Sequence, residues 1–254
     1  LDKPYARKMA LVTRHWSGKH RRVVQGINLI SLLWTQGQAR LPGDFRLSNR
    51  AEDGLTKNDH FRAMLHTASE RGFKPELVAF ASWYARLANL KYVRQLGWQW
   101  FTRLQAHRLV SVAGNRKNRP VSEWLIPRHG RVMPLKGYGW VKVFQTVTPD
   151  GREEYGATSR LDMTIEKAAE YALPAWQIEV YHQGLKQFIG IEGGQFRVAV
   201  AQRNHIGLAI RAFLRREVTR LPRGITWFEA KQAIIREAIR QYLAHPTLVL
   251  QPTA

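Results

Sequence analysis

Apolar and polar positions follow two rhythms along this chain. Residues 23–34 are rich in β-branched and apolar side chains and predict a strand. Gln36, Gly37 and Gln38 supply a turn, and residues 39–47 return as a second strand, with Pro42 favouring a sheet edge. The period then changes. From Asn58 onward Phe61, Met64, Leu65 and Ala68 recur at helical spacing, and Gly72 stands where a C-terminal cap belongs. Residues 77–81 make a short apolar run, the form of a strand buried on both faces. Residues 82–96 predict a helix ended by Gly97, and residues 98–104 predict another strand. Strand, helix, strand in that order predicts a parallel crossover.

Residues 105–160 read as a β-rich insertion. Residues 137–147 alternate well, and Pro149, Asp150 and Gly151 form a hairpin turn from which residues 153–158 return. Thr164 opens a helix to about Ala172, broken at Pro174. A new helix starts at Ala175 with an apolar stripe of Ile178, Tyr181, Leu185 and Phe188. Residues 190–194 form a break. Residues 195–219 predict an arginine-rich helix with Arg197, Arg203, Arg211, Arg215 and Arg216, and residues 227–243 a last one. Three parts follow: 1–104 as the first part of a core, 105–160 as the insertion, and 161–254 as a helical part that completes the core.

Charge changes the picture more than any other property. The chain has 254 residues, with 40 Lys and Arg against 19 Asp and Glu, a formal net charge of +21. Such an excess repels itself unless a polyanion relieves it. The stretches 14–22 and 116–119 read as basic loops. The longest apolar run, residues 27–34, is interrupted by Asn28 and Ser31 and falls short of the ~20 residues that span a bilayer. A membrane partner is therefore not expected. The chain has no cysteine, which removes disulfides and thiolate metal sites and fits a reducing cytoplasm.

Candidate chemistry sits on the helix that starts at Ala175. Glu179 and Lys186 are seven residues apart, about two helical turns, so the spacing puts both on one face. Glu179, His182, Gln183 and Lys186 form the polar strip beside the apolar stripe. A carboxylate can hold a divalent metal, and a lysine can grip a phosphate. The bland alternative is an ordinary exposed charged face, and His182 serves equally as a hydrogen-bonded structural histidine.

Three segments together resemble a known family. Trp176, Gln177, Ile178 and Glu179, then Tyr181 and His182, then Leu185, Lys186 and Gln187, then Gly190, Ile191 and Glu192, with Gln195, Phe196 and Arg197, resemble the catalytic helix of bacterial insertion-sequence DDE transposases. That group carries the pattern Tyr-x2-Arg-x3-Glu-x6-Lys, of which Glu179 and Lys186 keep the second half. Residues 2–8 resemble the segment after the family's first catalytic aspartate, and residues 80–84 resemble the strand end that carries the second.

The resemblance implies an α/β fold: a ribonuclease H-like mixed sheet flanked by helices, here with the β-rich insertion. It implies DNA transposition by metal-dependent cleavage and strand transfer, with carboxylates holding two magnesium ions (Mg2+). Glu179 would be a metal ligand and catalytic residue, and Lys186 a catalytic phosphate-binding residue. Lys186, His182, Arg197, Arg203 and Arg211 would contact double-stranded DNA, both transposon ends and target, with a homodimer on the DNA and a place at the bacterial nucleoid. The departures are specific. Ala81 stands where the family has its second aspartate, and the first aspartate is expected a few residues ahead of Asp2, before the start of this chain. Ala172 and Ala175 replace the pattern's tyrosine and arginine. The expectation is thus a truncated or decayed transposase, inactive or impaired. The alternative is a non-enzymatic basic DNA- or RNA-binding remnant of the same fold.

Overall fold

The computed structural model of the chain describes residues 1–17, 20–112 and 115–246. In chain order the elements are β1 (Val12–Ser17), β2 (Arg22–Ile27), β3 (Leu29–Gln36), β4 (Ala39–Leu47), α1 (Arg50–Asp53), α2 (Lys57–Glu70), β5 (Val78–Phe80), α3 (Leu87–Gln95), β6 (Trp100–Leu104), β7 (Leu109–Val112), β8 (Asn115–Pro120), β9 (Arg131–Leu135), β10 (Gly139–Val147), β11 (Glu153–Thr158), α4 (Ile165–Gly184), α5 (Ala199–Arg220) and α6 (Trp227–Ala244). A 3-10 turn, Ser82–Tyr84, precedes α3, and a π turn, Leu185–Ile189, continues α4. The chain divides into two compact units. One joins Leu1–Gly43 to Glu179–Ala254, and the other is Asp44–Ile178.

The unit Asp44–Ile178 is built on a seven-stranded sheet in the order β5-β6-β11-β10-β9-β7-β8. α2 starts at Thr56, whose hydroxyl accepts the Asp59 N–H while the Asp59 carboxylate accepts the Thr56 N–H. The helix buries Phe61, Met64, Leu65 and Ala68, the expected apolar face, and Gly72 takes the left-handed conformation at φ 77° just past its end. β5 and β6 run parallel, as the strand-helix-strand pattern predicts. β6 pairs antiparallel with β11, and β11 with β10, which makes the sheet mixed. Trp100, at the start of β6, lies fully buried, with its indole N–H donating to the Tyr138 hydroxyl at 2.8 Å. Phe144, Met163 and Ala168 close a second cluster with Leu77, Phe101, Ile165 and Tyr171. The architecture is a mixed α/β sheet flanked by helices. The strands of 105–160 belong to the same sheet as β5 and β6.

Several local expectations fail for physical reasons. The basic stretch 14–22 is largely strand: β1 and β2 pair antiparallel from Val12↔Ile27 to Ser17↔Arg22, while Gly18 and Lys19 lie outside the described residues. The stretch 116–119 is likewise within β8, the edge of the large sheet, where lysine and arginine block further pairing. Residues 23–34 are two strands rather than one, parted at Asn28. The expected break at Pro174 is absent, for α4 runs unbroken from Ile165 to Gly184. A proline inside a helix costs about 3 kcal/mol. Here the helix is held on both sides of it, by Ala168 in one cluster and by Tyr181, which is 0% exposed. Arg197 precedes α5 rather than lying within it.

The unit of Leu1–Gly43 and Glu179–Ala254 is organised by one carboxylate. Glu217 on α5 is 0% exposed. Its Oε1 accepts Arg220 Nε at 3.0 Å and the Trp227 indole N–H, and its Oε2 accepts Arg220 Nη2 at 3.1 Å and the Arg40 backbone N–H at 3.0 Å. Arg220 also donates to the Gln38 carbonyl at 2.8 Å. One buried acid therefore ties α5 to the start of α6 and to the β3–β4 hairpin. Gly184 sits where a Cβ would come within 2.9 Å of Phe213 and 3.0 Å of Trp227, so only glycine permits this approach.

Glu217→Gln removes the charge and leaves Arg220 buried without a counter-ion. Breaking a buried pair on one side costs about 3–5 kcal/mol. Urea unfolding should show a loss of that size, whereas a loss under about 1 kcal/mol would mean that Glu217 is no hub.

Candidate functional site

The end of α4 is set by its apolar stripe. Tyr181 packs edge-to-face on Phe213 with ring centroids 4.9 Å apart, and Phe188 meets Trp227 at 5.8 Å. Leu185 is also buried. Turning these inward sends Glu179 and Gln183 to water. The helix then widens into the π turn Leu185–Ile189, and Lys186 lies within it. π turns recur at functional sites. Gly190 follows at φ 74°, and the Ile191 N–H donates back to the Leu185 carbonyl at 3.1 Å.

That reversal brings Glu192 to Lys186. Lys186 Nζ stands 2.9 Å from Glu192 Oε1, with each side chain about one third exposed (34% and 33%). Glu192 Oε1 also accepts the Asp2 N–H at 3.2 Å. Lys3, a buried lysine, donates from Nζ to the carbonyls of Glu192 at 2.6 Å and Gly194 at 2.5 Å. Burial lowers its pKa below the ordinary lysine value, and the two carbonyls satisfy it. The lysine expected to grip a phosphate thus already has a carboxylate partner. Glu179, its expected companion, is exposed and forms no ion pair among the described residues.

His182 turns inward, with Nε2 3.2 Å from Ser31 Oγ on β3. Burial, and next the charge of Lys186, push its pKa down to about 4. It is a neutral histidine joining α4 to β3 rather than a group facing DNA. Arg203 and Arg211 are exposed on α5, and Arg197 is exposed just before it. Arg215 joins them. Arg216, which sequence groups with them, is 5% exposed, with its guanidinium 4.9 Å above the Phe188 ring and an N–H on the Trp227 carbonyl.

The strand end with the alanine lies in the other unit. Ala81 follows β5 in extended conformation and caps the turn Ser82–Tyr84. Thr102 Oγ1 donates to the Phe80 carbonyl at 2.7 Å, and Gln105 Nε2 to Ser82 Oγ at 3.2 Å. Asn89, fully buried, holds the turn through the Tyr84 carbonyl at 2.9 Å and Asn58 Oδ1 at 2.7 Å. Tyr84 stacks on Phe61, whereas Trp83 is 59% exposed with Lys57 Nζ 5.8 Å from its ring. The strand end offers a methyl, a hydroxyl and an amide. Among the described residues no three His, Asp or Glu side chains stand together where an ion could be held. The strand end itself brings no carboxylate to hold a magnesium ion. Those of Ala172 and Ala175 lie outside the described set.

Sequence reasoning missed the Glu192 and Lys3 contacts, since residues nearly two hundred positions apart leave no periodic signal. It also missed the exposure of Trp16 on β1. No described helix is long and apolar enough to cross a membrane. No family model and no curated protein matches the chain.

His182 gives a pH signature. The unfolded chain takes up this proton near 6.5 and the folded chain near 4. Its contribution to stability is therefore complete above 6.5 and is lost as pH falls toward 4, by up to about 3 kcal/mol. Denaturant titrations of the wild type and His182→Gln across that window should diverge at the neutral end and converge at the acid end. Parallel curves would contradict the assignment.

Proposed function

We propose that this chain is a nucleic-acid-binding protein of the insertion-sequence DDE transposase type that grips the backbone of double-stranded DNA without cutting it. The observation that carries the reading is the charge arrangement of α5. Its only carboxylate, Glu217, is buried and committed to Arg220 and Trp227, whereas Arg203, Arg211 and Arg215 face water. The helix therefore presents cations with no acid of its own to neutralise them. From Arg203 to Arg215 it rises ~18 Å, a length that runs past several phosphates of a duplex. The net charge of +21 supports the same partner.

The mixed sheet and the segments around Glu179, Ala81 and residues 2–8 support the transposase relationship. The donor set supports binding over cleavage. Ala81 brings a methyl to the position where the family carries a metal ligand. Lys186 serves as a phosphate site in competition with Glu192. Partly exposed ion pairs contribute only about 0–1 kcal/mol, so a phosphate can take the place of the carboxylate.

Anisotropy titrations of a labelled duplex over a range of salt test this reading. Each phosphate neutralised contributes about 0.9 to the slope of log K against log salt. Replacing Arg203, Arg211 and Arg215 with alanine together should flatten the slope by roughly 2.5 with the circular dichroism unchanged. Supercoiled plasmid should stay closed in magnesium or manganese. An unchanged slope, or nicking that disappears in Glu179→Ala, would overturn the proposal.

A further inference from the structure

The β1–β2 hairpin carries an aromatic group that the fold does not use. Trp16 and Val23 face each other across the two strands, and both are open to water, at 60% and 54% exposed. A cross-strand pair of this kind stabilises a sheet when something covers it, and here nothing among the described residues of the same unit does. Pairing also fixes the neighbours. Arg14, two residues along β1, shares the face of Trp16 and is exposed, and Gln25 opposite it is tied down by donating to the Ala6 carbonyl. Arg21, at φ 48°, and Arg22 stand exposed at the start of β2. From Lys3 to Gly43 the chain contains no aspartate or glutamate, and nearby Asp2 is paired with His20 at 3.1 Å.

A flat exposed indole with the exposed guanidinium of Arg14 on the same face has a specific chemical complement. Every nucleobase offers a π face, and every nucleotide a phosphate. In a duplex the base faces are covered by their neighbours, so only the phosphates are open to this surface. In an unpaired strand both are open. We infer that the Trp16 face of the β1–β2 hairpin binds single-stranded nucleic acid, with Trp16 stacking on an unpaired base and Arg14 holding a flanking phosphate. A lipid surface is the competing occupant, and the structure gives it less. One indole and one valine bury too little apolar area to anchor a protein in a bilayer interface. This surface uses none of the arginines of α5, so it stands or falls separately from duplex binding.

The test uses the full chain with a labelled oligothymidylate and a labelled duplex of equal length. Trp16→Leu keeps an apolar residue on the strand but removes the ring, and Trp16→Phe restores a ring. Loss of one stacked base weakens single-strand binding about tenfold. Trp16→Leu should show that loss on the oligothymidylate and a change within about twofold on the duplex, whose phosphates it does not read. Trp16→Phe should recover most of the affinity. Equal loss on both nucleic acids, no loss on the single strand, or no recovery by phenylalanine would each overturn the inference. So would a loss confined to sedimentation with phosphatidylserine vesicles, which would assign the surface to lipid.

Discussion

Scarcity of carboxylates constrains this protein more than any other feature. With 40 lysines and arginines against 19 aspartates and glutamates, most cations cannot have an acidic partner. A cation at the surface tolerates this because water solvates it, but a cation in the interior needs a direct partner. Carbonyls serve Lys3 and Arg216, and a carboxylate serves Arg220. Glu217 is the extreme case: Arg220, the Trp227 indole and the Arg40 backbone amide converge on a fully buried carboxylate. Its two oxygens accept four hydrogen bonds, so the cost of burying its charge is offset by direct contacts rather than by solvent. Elsewhere Asp59 meets Arg62 and the Thr56 amide, and Asp53 meets the buried His60 ring.

That allocation shapes what the polar end of α4 can do. A metal site asks several carboxylates to stand close together, which is costly unless the ion is present to offset their repulsion. Among the described residues no such group forms. Glu192 is drawn to Lys186 and the Asp2 amide, Glu217 to arginine, and the strand end after β5 carries Ala81. A phosphate approaching Lys186 meets a lysine already paired at the surface. The exchange of one anion for another is nearly neutral there, because both are largely solvated. Binding driven in this way follows the ion concentration of the solution more than any one contact.

The legible parts of the sequence were those governed by local rules. The α2 face, its end at Gly72, the parallel pair β5 and β6, and the hairpin at Gly151 each follow from spacing or from a turn residue. The failures have a common origin in tertiary contacts. β1 and β8 carry so many cations that their two-residue period is masked, yet Trp16, Val23 and the partner strands fix them as strands. Pro174 announces a break that packing on either side overrides. The π turn displaces Lys186 from the regular helix that the seven-residue spacing assumes, and it pairs with Glu192 rather than with Glu179. His182 reads as polar, but it is turned toward Ser31.

The arginines of α5 show how one helix sorts a single residue type into two roles. Arg216 and Arg220 lie on the side facing Trp227 and Glu217, where their planar groups stack on Phe188 or fork onto a carboxylate. Arg203, Arg211 and Arg215 lie on the side facing water. Lysine would not serve the inner positions as well, because a compact ammonium cannot fork or stack. Nor could the outer arginines be balanced by new acids along the helix without losing their pull on a polyanion. The inner set ties the helix to its neighbours, and the proposed salt-dependent grip on phosphate rests on the outer set staying apart from it.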